Sequence, residues 1–314
     1  VPSNTFDQLV GLFSKSDEPV DLATERANAA AVGALYQAVP GVADEPMAEL
    51  RAGSYLMTPE EPREDLVIVL VHGGGFRSGN AAVVRPLAAS LAADTRARVI
   101  LPEYRLAPEN PCPAALTDCL EAFDHAATLA PNVVVIGESA GANLAAAVLL
   151  QRREQALAGV LLCGVFDLRE ERFHSGSWVE HAATEYLLKA HLGPQMRIDY
   201  LGTRPADDPL VSPVLADLRG LPPLLIQVSS AERLLDDSLH LTTAAARAGV
   251  HVELDVWPHM FHCWQIVAGF LPEGTEAANR VAAFVNRVAE GRVVDGAALS
   301  TGPSIPRPIR KDHP

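Results

Sequence analysis

No stretch of the 314-residue sequence approaches the roughly 20 consecutive apolar residues that a membrane-spanning helix needs. The first twenty residues carry Asp7, Lys15, Asp17 and Glu18, where a secretory signal would need an unbroken apolar run. A chain that opens at Val1 rather than Met is expected to be processed or truncated at its start. Basic charge is also in short supply. Lys and Arg number 25 against 39 Asp and Glu, a net charge of -14 with a pI near 5.1. That deficit argues against nucleic acid or an anionic membrane as a partner and favours a neutral or cationic small molecule. The four cysteines, Cys112, Cys119, Cys163 and Cys263, have no CxxC spacing, so neither a zinc site nor a disulfide framework is suggested. A soluble cytoplasmic protein with reduced thiols is the expectation. No internal repeat is visible.

Apolar residues make up 48% of the chain, with glycine and proline spread throughout, as in ordinary globular proteins. From Asp21 to Gln37 small and apolar residues recur at helical spacing ahead of the core. The run Leu66 to Val71 (LVIVLV) predicts a strand buried on both faces of a parallel sheet. Beyond it the pattern alternates: helix 81–93, strand 98–101, helix 113–129, strand 133–136, helix 140–153 and strand 159–163. After a break come strand 224–228, helix 234–248, strand 252–257 and helix 276–288. Such alternation predicts the α/β class, with a mostly parallel central sheet flanked by helices. The break carries Phe173, His174, Trp178, Tyr186 and Tyr200 without strand periodicity and reads as helical cap material over the strand ends. The expected organisation is an N-terminal cap segment at 1–45, a core of 46–165 and 210–290, an inserted cap at 166–209, and a tail at 291–314 whose composition seldom builds core.

Gly137-Glu138-Ser139-Ala140-Gly141 lies between a predicted strand and a predicted helix, the setting of a nucleophile elbow. The glycines permit the sharp turn that exposes Ser139, and the helix N-terminus behind it favours developing negative charge. His72-Gly73-Gly74-Gly75 follows the buried strand, and glycine N–H groups there can hold a carbonyl oxygen as it becomes an oxyanion, with the N–H of Ala140 completing the hole. A phosphate loop is the other use of a glycine run, but the Lys-Ser/Thr ending and the GxGxxG pattern are missing.

His72-Gly73-Gly74-Gly75-Phe76, Tyr104-Arg105-Leu106-Ala107-Pro108-Glu109 and Gly137-Glu138-Ser139-Ala140-Gly141-Ala142-Asn143-Leu144-Ala145, in this order between about Leu66 and Trp264, resemble the bacterial hormone-sensitive-lipase family of carboxylesterases. The resemblance implies an α/β-hydrolase fold, a helical cap built from the N-terminal segment and the 166–209 insertion, and frequently a dimer. It also implies oxyanion donors at Gly74, Gly75 and Ala140, with Gly73 as an alternate. The triad in this fold runs serine, acid, histidine. Family members resemble D-x-L-x-D after the strand at 224–228, and aligning Leu234 with their leucine makes Glu232 the triad acid and Asp236 the second acid, a departure of Glu for Asp. Asp236 stays open as the partner because it could swing in from the following helix turn, and Asp236 and Asp237 also suit helix-start electrostatics. Related sequences place their histidine before a small residue and an aromatic, which matches His262-Cys263-Trp264 and leaves His259 as the second candidate. His72, Tyr104, Arg105 and Glu109 read as loop braces, and Phe76, Arg77, Glu138, His174 and Trp178 as pocket lining.

The implied activity is hydrolysis of small or medium carboxylic esters through an acyl-enzyme on Ser139, with no metal or organic cofactor. A specialised biosynthetic hydrolase, lactone-processing, dehydratase or cyclase, is the second reading, with Arg77 available to recognise an acidic group. A non-catalytic ligand-binding homologue is the third, and such a protein is expected to have lost a triad member. Expected partners are a small ester substrate and a second copy of the chain, with no nucleic acid and no membrane.

Overall fold

A computed structural model describes residues 2–13 and 19–293. Leu66–Val71 forms strand β3, buried at every position, between parallel neighbours β4 (Arg98–Leu101) and β5 (Asn132–Glu138). Successive side chains of a strand point to opposite faces, and here both faces are covered. Val67, Val69 and Val71 pack in one layer with helices α4 (Ala114–Leu129) and α5 (Ala140–Gln151). Leu66, Ile68 and Leu70 pack in the other with α3 (Arg85–Thr95) and α9 (Pro272–Ala289). Full burial of one such side chain contributes roughly 1.5–3 kcal/mol, which is why β3 reads as an unbroken apolar run.

Strands β6 (Ala156–Leu162), β7 (Leu224–Ser229) and β8 (Val252–Trp257) continue the sheet in parallel. On the other side β2 (Tyr55–Pro59) runs antiparallel to β4, and β1 (Val42–Pro46) antiparallel to β2, giving the order β1-β2-β4-β3-β5-β6-β7-β8. The mostly parallel sheet matches the sequence reading, whereas this antiparallel pair was not anticipated. β1 is an edge strand reading Val-Ala-Asp-Glu-Pro with only Val42 buried, so it carries no apolar signal. It also carries the sheet back to residue 42, ahead of the core start expected at 46. Helix α1 (Asn4–Leu12) is likewise too short to announce itself. Tertiary contacts hold it: Ser3 Oγ donates to Glu273 at 2.9 Å, and Phe6 stacks on Phe261 at 5.7 Å between ring centroids.

The insertion is helical only in pieces, a 3-10 turn at Glu170–His174, the one-turn α6 (Ser177–Glu180) and α7 (Leu192–Leu201). It is clamped to the start of α8 (Leu235–Arg247) by the two acids there. Asp237 accepts the N–H groups of Phe166 and Asp167 at 2.8 and 3.1 Å and pairs with Arg172 at 2.5 Å, while Asp236 Oδ2 accepts the Ser177 N–H at 2.8 Å. Asn143 on α5 closes the neck of the insertion, its Nδ2 donating to the carbonyls of Val165 and Val211 at 2.8 and 2.9 Å. From the N-terminal side, α2 (Leu22–Ala34) covers the glycine loop: Arg26 donates to the carbonyls of Arg77 and Ala107 at 2.9 and 3.0 Å and pairs with Glu109 at 2.6 Å. Among the described residues no helix is long and apolar enough to cross a membrane. Residues 294–314 of the expected tail lie outside the described residues.

Candidate active site

Ser139 joins β5 to α5 with φ 55° and ψ -121°, a conformation that a non-glycine residue holds only when its surroundings force it. The glycines around it answer to close approach. A Cβ on Gly137 would run into the carbonyl of Gly141, and one on Gly141 into the carbonyls of Val71 and His72. The Ser139 N–H donates to Leu162 O at 2.8 Å, fixing the turn against β6.

Loops after β7 and β8 bring the other two groups to this turn. His262 Nε2 lies 2.9 Å from Ser139 Oγ, and His262 Nδ1 lies 2.8 Å from Glu232 Oε2. Glu232 is wholly buried, and its Oε1 accepts the Ser229 N–H at 3.2 Å. Burial pushes the Glu232 carboxyl well above the usual carboxylate range, against the pull of its bond to His262. Burial works the other way on His262, but the neighbouring Cys163 sulfur and the hydrogen bond to Glu232 outweigh it and hold the imidazole above its ordinary value. The alternatives lie elsewhere: Asp236 is engaged with Ser177 in the cap, and His259 is exposed with its backbone N–H on Ser230 Oγ at 3.3 Å.

In the glycine loop, the Gly73 N–H is taken by Glu138 Oε1, which leaves Gly73 unable to serve as the alternate oxyanion donor. The N–H groups of Gly74, Gly75 and Ala140 have no acceptor among the described residues. Gly74 sits at φ 107° while its carbonyl accepts the Ser78 N–H at 2.9 Å, a turn that leaves no room for a Cβ. His72 braces the loop from below: its Nδ1 is 2.8 Å from Gly73 O, its ring stacks on Tyr104 at 4.1 Å, and Tyr104 Oη donates to His72 O at 2.9 Å. Burial drops the His72 pKa to about 4, so it is neutral near pH 7. Arg105 pairs with Asp118 at 2.6 Å, and the Ala107 N–H donates to Phe76 O at 2.9 Å, so the second motif holds the first in place.

A cavity of about 660 Å³ opens onto Ser139, His262 and the glycine loop. Of the residues expected to line it, Arg77, Glu138 and Trp178 do so. Phe76 instead is buried against Tyr200, rings stacked at 3.8 Å, and His174 is exposed on the cap. The Arg77 guanidinium pairs with Asp199 at 2.7 Å and Glu25 at 3.3 Å. These two carboxylates already balance the Arg77 charge, which weakens its pull on an acidic substrate group. Much of the remaining wall went unread in the sequence: Asn28, Ala29 and Val32 of α2, and Tyr186, Leu188 and Met196 of the insertion. These are ordinary small and apolar residues, and only the placing of the cap gives them a common face. Cys263 also borders the cavity, its Sγ 3.4 Å from His262 Nε2.

The profile of the alpha/beta hydrolase fold family matches residues 68–266, the span that contains all of these loops except the N-terminal cover. The chain belongs to the α/β-hydrolase fold family. This α/β-hydrolase is similar to the acetyl-hydrolase of Streptomyces hygroscopicus, 37% identical over 231 residues, 71% of this chain and 76% of that one. It is 31% identical over 246 residues to carboxylesterase NlhH of Mycobacterium tuberculosis (strain ATCC 25618 / H37Rv), 73% of this chain and 76% of that protein. Among solved structures, an esterase from the bacterial hormone-sensitive lipase family superposes with a TM-score of 0.84 at 30% identity, covering 92% of this chain and 99% of its own. A hormone-sensitive lipase from a metagenome library gives 0.84 at 29%, with the same coverage. The resemblance carried by the three sequence motifs is thus borne out at the level of the whole α/β-hydrolase fold.

Proposed function

We propose that the protein is a serine carboxylesterase in which Ser139 is the nucleophile, His262 the general base and acid, and Glu232 the group that orients and stabilises the imidazole. The 2.9 Å contact between Ser139 Oγ and His262 Nε2, continued at 2.8 Å to Glu232, carries this reading. His262 takes the serine proton as Oγ attacks the ester carbonyl, and the oxyanion rests on the N–H groups of Gly74, Gly75 and Ala140. The alcohol leaves with the proton from His262. Water then enters, gives its proton to the same nitrogen, and releases the acid. Protein groups supply every step, so the cycle calls for no metal or organic cofactor.

The cavity, about 660 Å³ with a mainly apolar wall, is of small-molecule size and suits short to medium acyl chains. An acetyl-hydrolase among the relatives points the same way. The N-terminal segment and the 166–209 insertion act as a cap that limits access, and four unpaired cysteines suit a reducing, cytoplasmic setting. A dimer belongs to the same reading through the family. Hydrolysis of p-nitrophenyl esters from acetate to laurate, set beside Ser139→Ala, tests it: turnover peaking at short chains and lost in the variant is expected. A folded wild-type protein without turnover on any of these esters would overturn it.

A further inference from the structure

Cys163, at the end of β6, and Cys263, beside His262 in the chain, have no part in the acyl-transfer cycle, yet their sulfurs flank its base. Cys163 Sγ, Cys263 Sγ and a His262 ring nitrogen all lie within 4.8 Å of one another, and all three residues are buried. Cys263 Sγ is 3.4 Å from His262 Nε2. In a tetrahedral zinc site, with bonds of about 2.3 Å to sulfur and about 2.0 Å to nitrogen, ligand atoms stand about 3.5 Å apart. The three groups therefore need only a small adjustment to share one ion. Spacing along the chain hides the site, since a hundred residues separate Cys163 from Cys263 and neither lies in a CxxC pair.

The imidazole is also held as a zinc-binding imidazole is held. Metal-ligating histidines almost always give their second nitrogen to a carboxylate or carbonyl, which fixes the ring and raises its basicity. Glu232 does this at His262 Nδ1, 2.8 Å away, leaving Nε2 toward the sulfurs. Ser139 Oγ, 2.9 Å from Nε2, or a water from the cavity would supply the fourth ligand. His262 and Cys263 border the cavity, which gives an ion a way in.

We infer that Cys163, His262 and Cys263 form a binding site for a thiophilic divalent cation such as Zn²⁺, and that occupancy takes the Nε2 lone pair and reversibly silences Ser139. Binding forms two Zn–S bonds and one Zn–N bond in place of three Zn–water bonds, and the protons held by the two thiols and by Nε2 pass to solvent with no change in oxidation state. The loss of ester hydrolysis rests on the esterase reading above; binding itself does not.

The test is equilibrium dialysis of the full chain against Zn²⁺ under a non-thiol reductant, together with Co²⁺ absorption and Zn²⁺ inhibition of p-nitrophenyl acetate hydrolysis. Expected are one ion per chain, a thiolate-to-cobalt charge-transfer band, and inhibition reversed by EDTA. Cys163→Ser and Cys263→Ser are expected to weaken Zn²⁺ binding at least about tenfold, each judged against its own metal-free protein. Ser139→Ala is expected to keep the cobalt band. Should a serine variant misfold, Cys163→Ala and Cys263→Gly replace it, the latter suiting the φ of 58° at Cys263. Unchanged Zn²⁺ affinity in both cysteine variants, or no stoichiometric binding by wild type, overturns the site. Wild type that binds Zn²⁺ through both cysteines but never hydrolyses an ester overturns the esterase reading alone.

Discussion

Glu138, one residue before Ser139, accepts the backbone N–H of Gly73, one residue before the two glycines whose N–H groups are free for an oxyanion. The carboxylate thereby sets the position of the glycine loop relative to Ser139 across two separate strand ends. Its burial raises its pKa, opposed by its bond to Cys263 and by His262.

Glu138→Ala removes that acceptor and leaves a buried N–H unpaired, so the loop is free to shift. A displacement on the order of 1 Å in a positioned catalytic group lowers rate by as much as about a hundredfold. We expect kcat on p-nitrophenyl acetate to fall about 10- to 100-fold with KM little changed. Glu138→Gln keeps an acceptor oxygen and is expected within about fivefold of wild type, since only the charge is lost. Equal losses in the two variants would show that the hydrogen bond is not what matters.

Of the two acids that the sequence offers to His262, only Glu232 touches it. Glu232→Asp withdraws the carboxylate by one C–C bond, about 1.5 Å, from a 2.8 Å contact in a packed interior. We expect kcat to drop by about a hundredfold or more. Asp236→Asn is expected to leave kcat within about twofold while lowering the melting temperature, because its contact is the Ser177 N–H in the cap. The reverse pattern in steady-state kinetics would return the triad acid to Asp236.

Sequence legibility followed what each residue has to do. β3 was readable to the residue because burial on both faces leaves no choice but LVIVLV. That Ser139, Glu232 and His262 would meet was legible because a strained turn needs its glycines, and because motif order and the resemblance limit where an acid and a base can stand. β1 was not, since an edge strand with one buried residue in five carries no pattern. The insertion at 166–209 was readable only as an interruption: its contacts run through Arg172, Asp237 and Asn143, polar residues whose burial is decided by tertiary packing. The cavity wall on α2 and the sulfurs beside His262 went unread for the same reason, because each depends on segments far apart in the chain meeting in space.

Arg77 stands between Glu25 and Asp199, all three side chains nearly buried at 10–14% exposure. Arg77→Met would strand two carboxylates, Glu25 in the cavity wall and Asp199 behind it on α7. Breaking a buried pair from one side destabilises by roughly 3–5 kcal/mol, and this partly solvated cluster belongs near the lower figure. Urea unfolding is expected to show about 3 kcal/mol lost in Arg77→Met and less than half of that in Glu25→Gln/Arg77→Met/Asp199→Asn, where no charge is left unpaired. A triple variant as unstable as the single one would mean that the arginine stem, and not the charge balance, holds α2 and α7 to the glycine loop.

His72 is expected to contribute to the pH dependence of the fold. Its ring is buried under Tyr104, and burial depresses its pKa to about 4, against about 6.5 in an unfolded chain. The folded protein thus refuses a proton that the unfolded chain accepts. Stability from this group is complete above about pH 6.5 and declines as the pH falls through about 4, below which both states are protonated. At about 1.36 kcal/mol for each pH unit, the decline amounts to about 3 kcal/mol. His72→Asn keeps a donor toward Gly73 O but does not titrate in this range, so its unfolding free energy is expected to fall less between pH 6.5 and pH 4. Urea unfolding of both proteins at several pH values measures the difference. Parallel curves would mean that other buried groups govern acid unfolding and that the histidine before the glycines is there for its hydrogen bond alone.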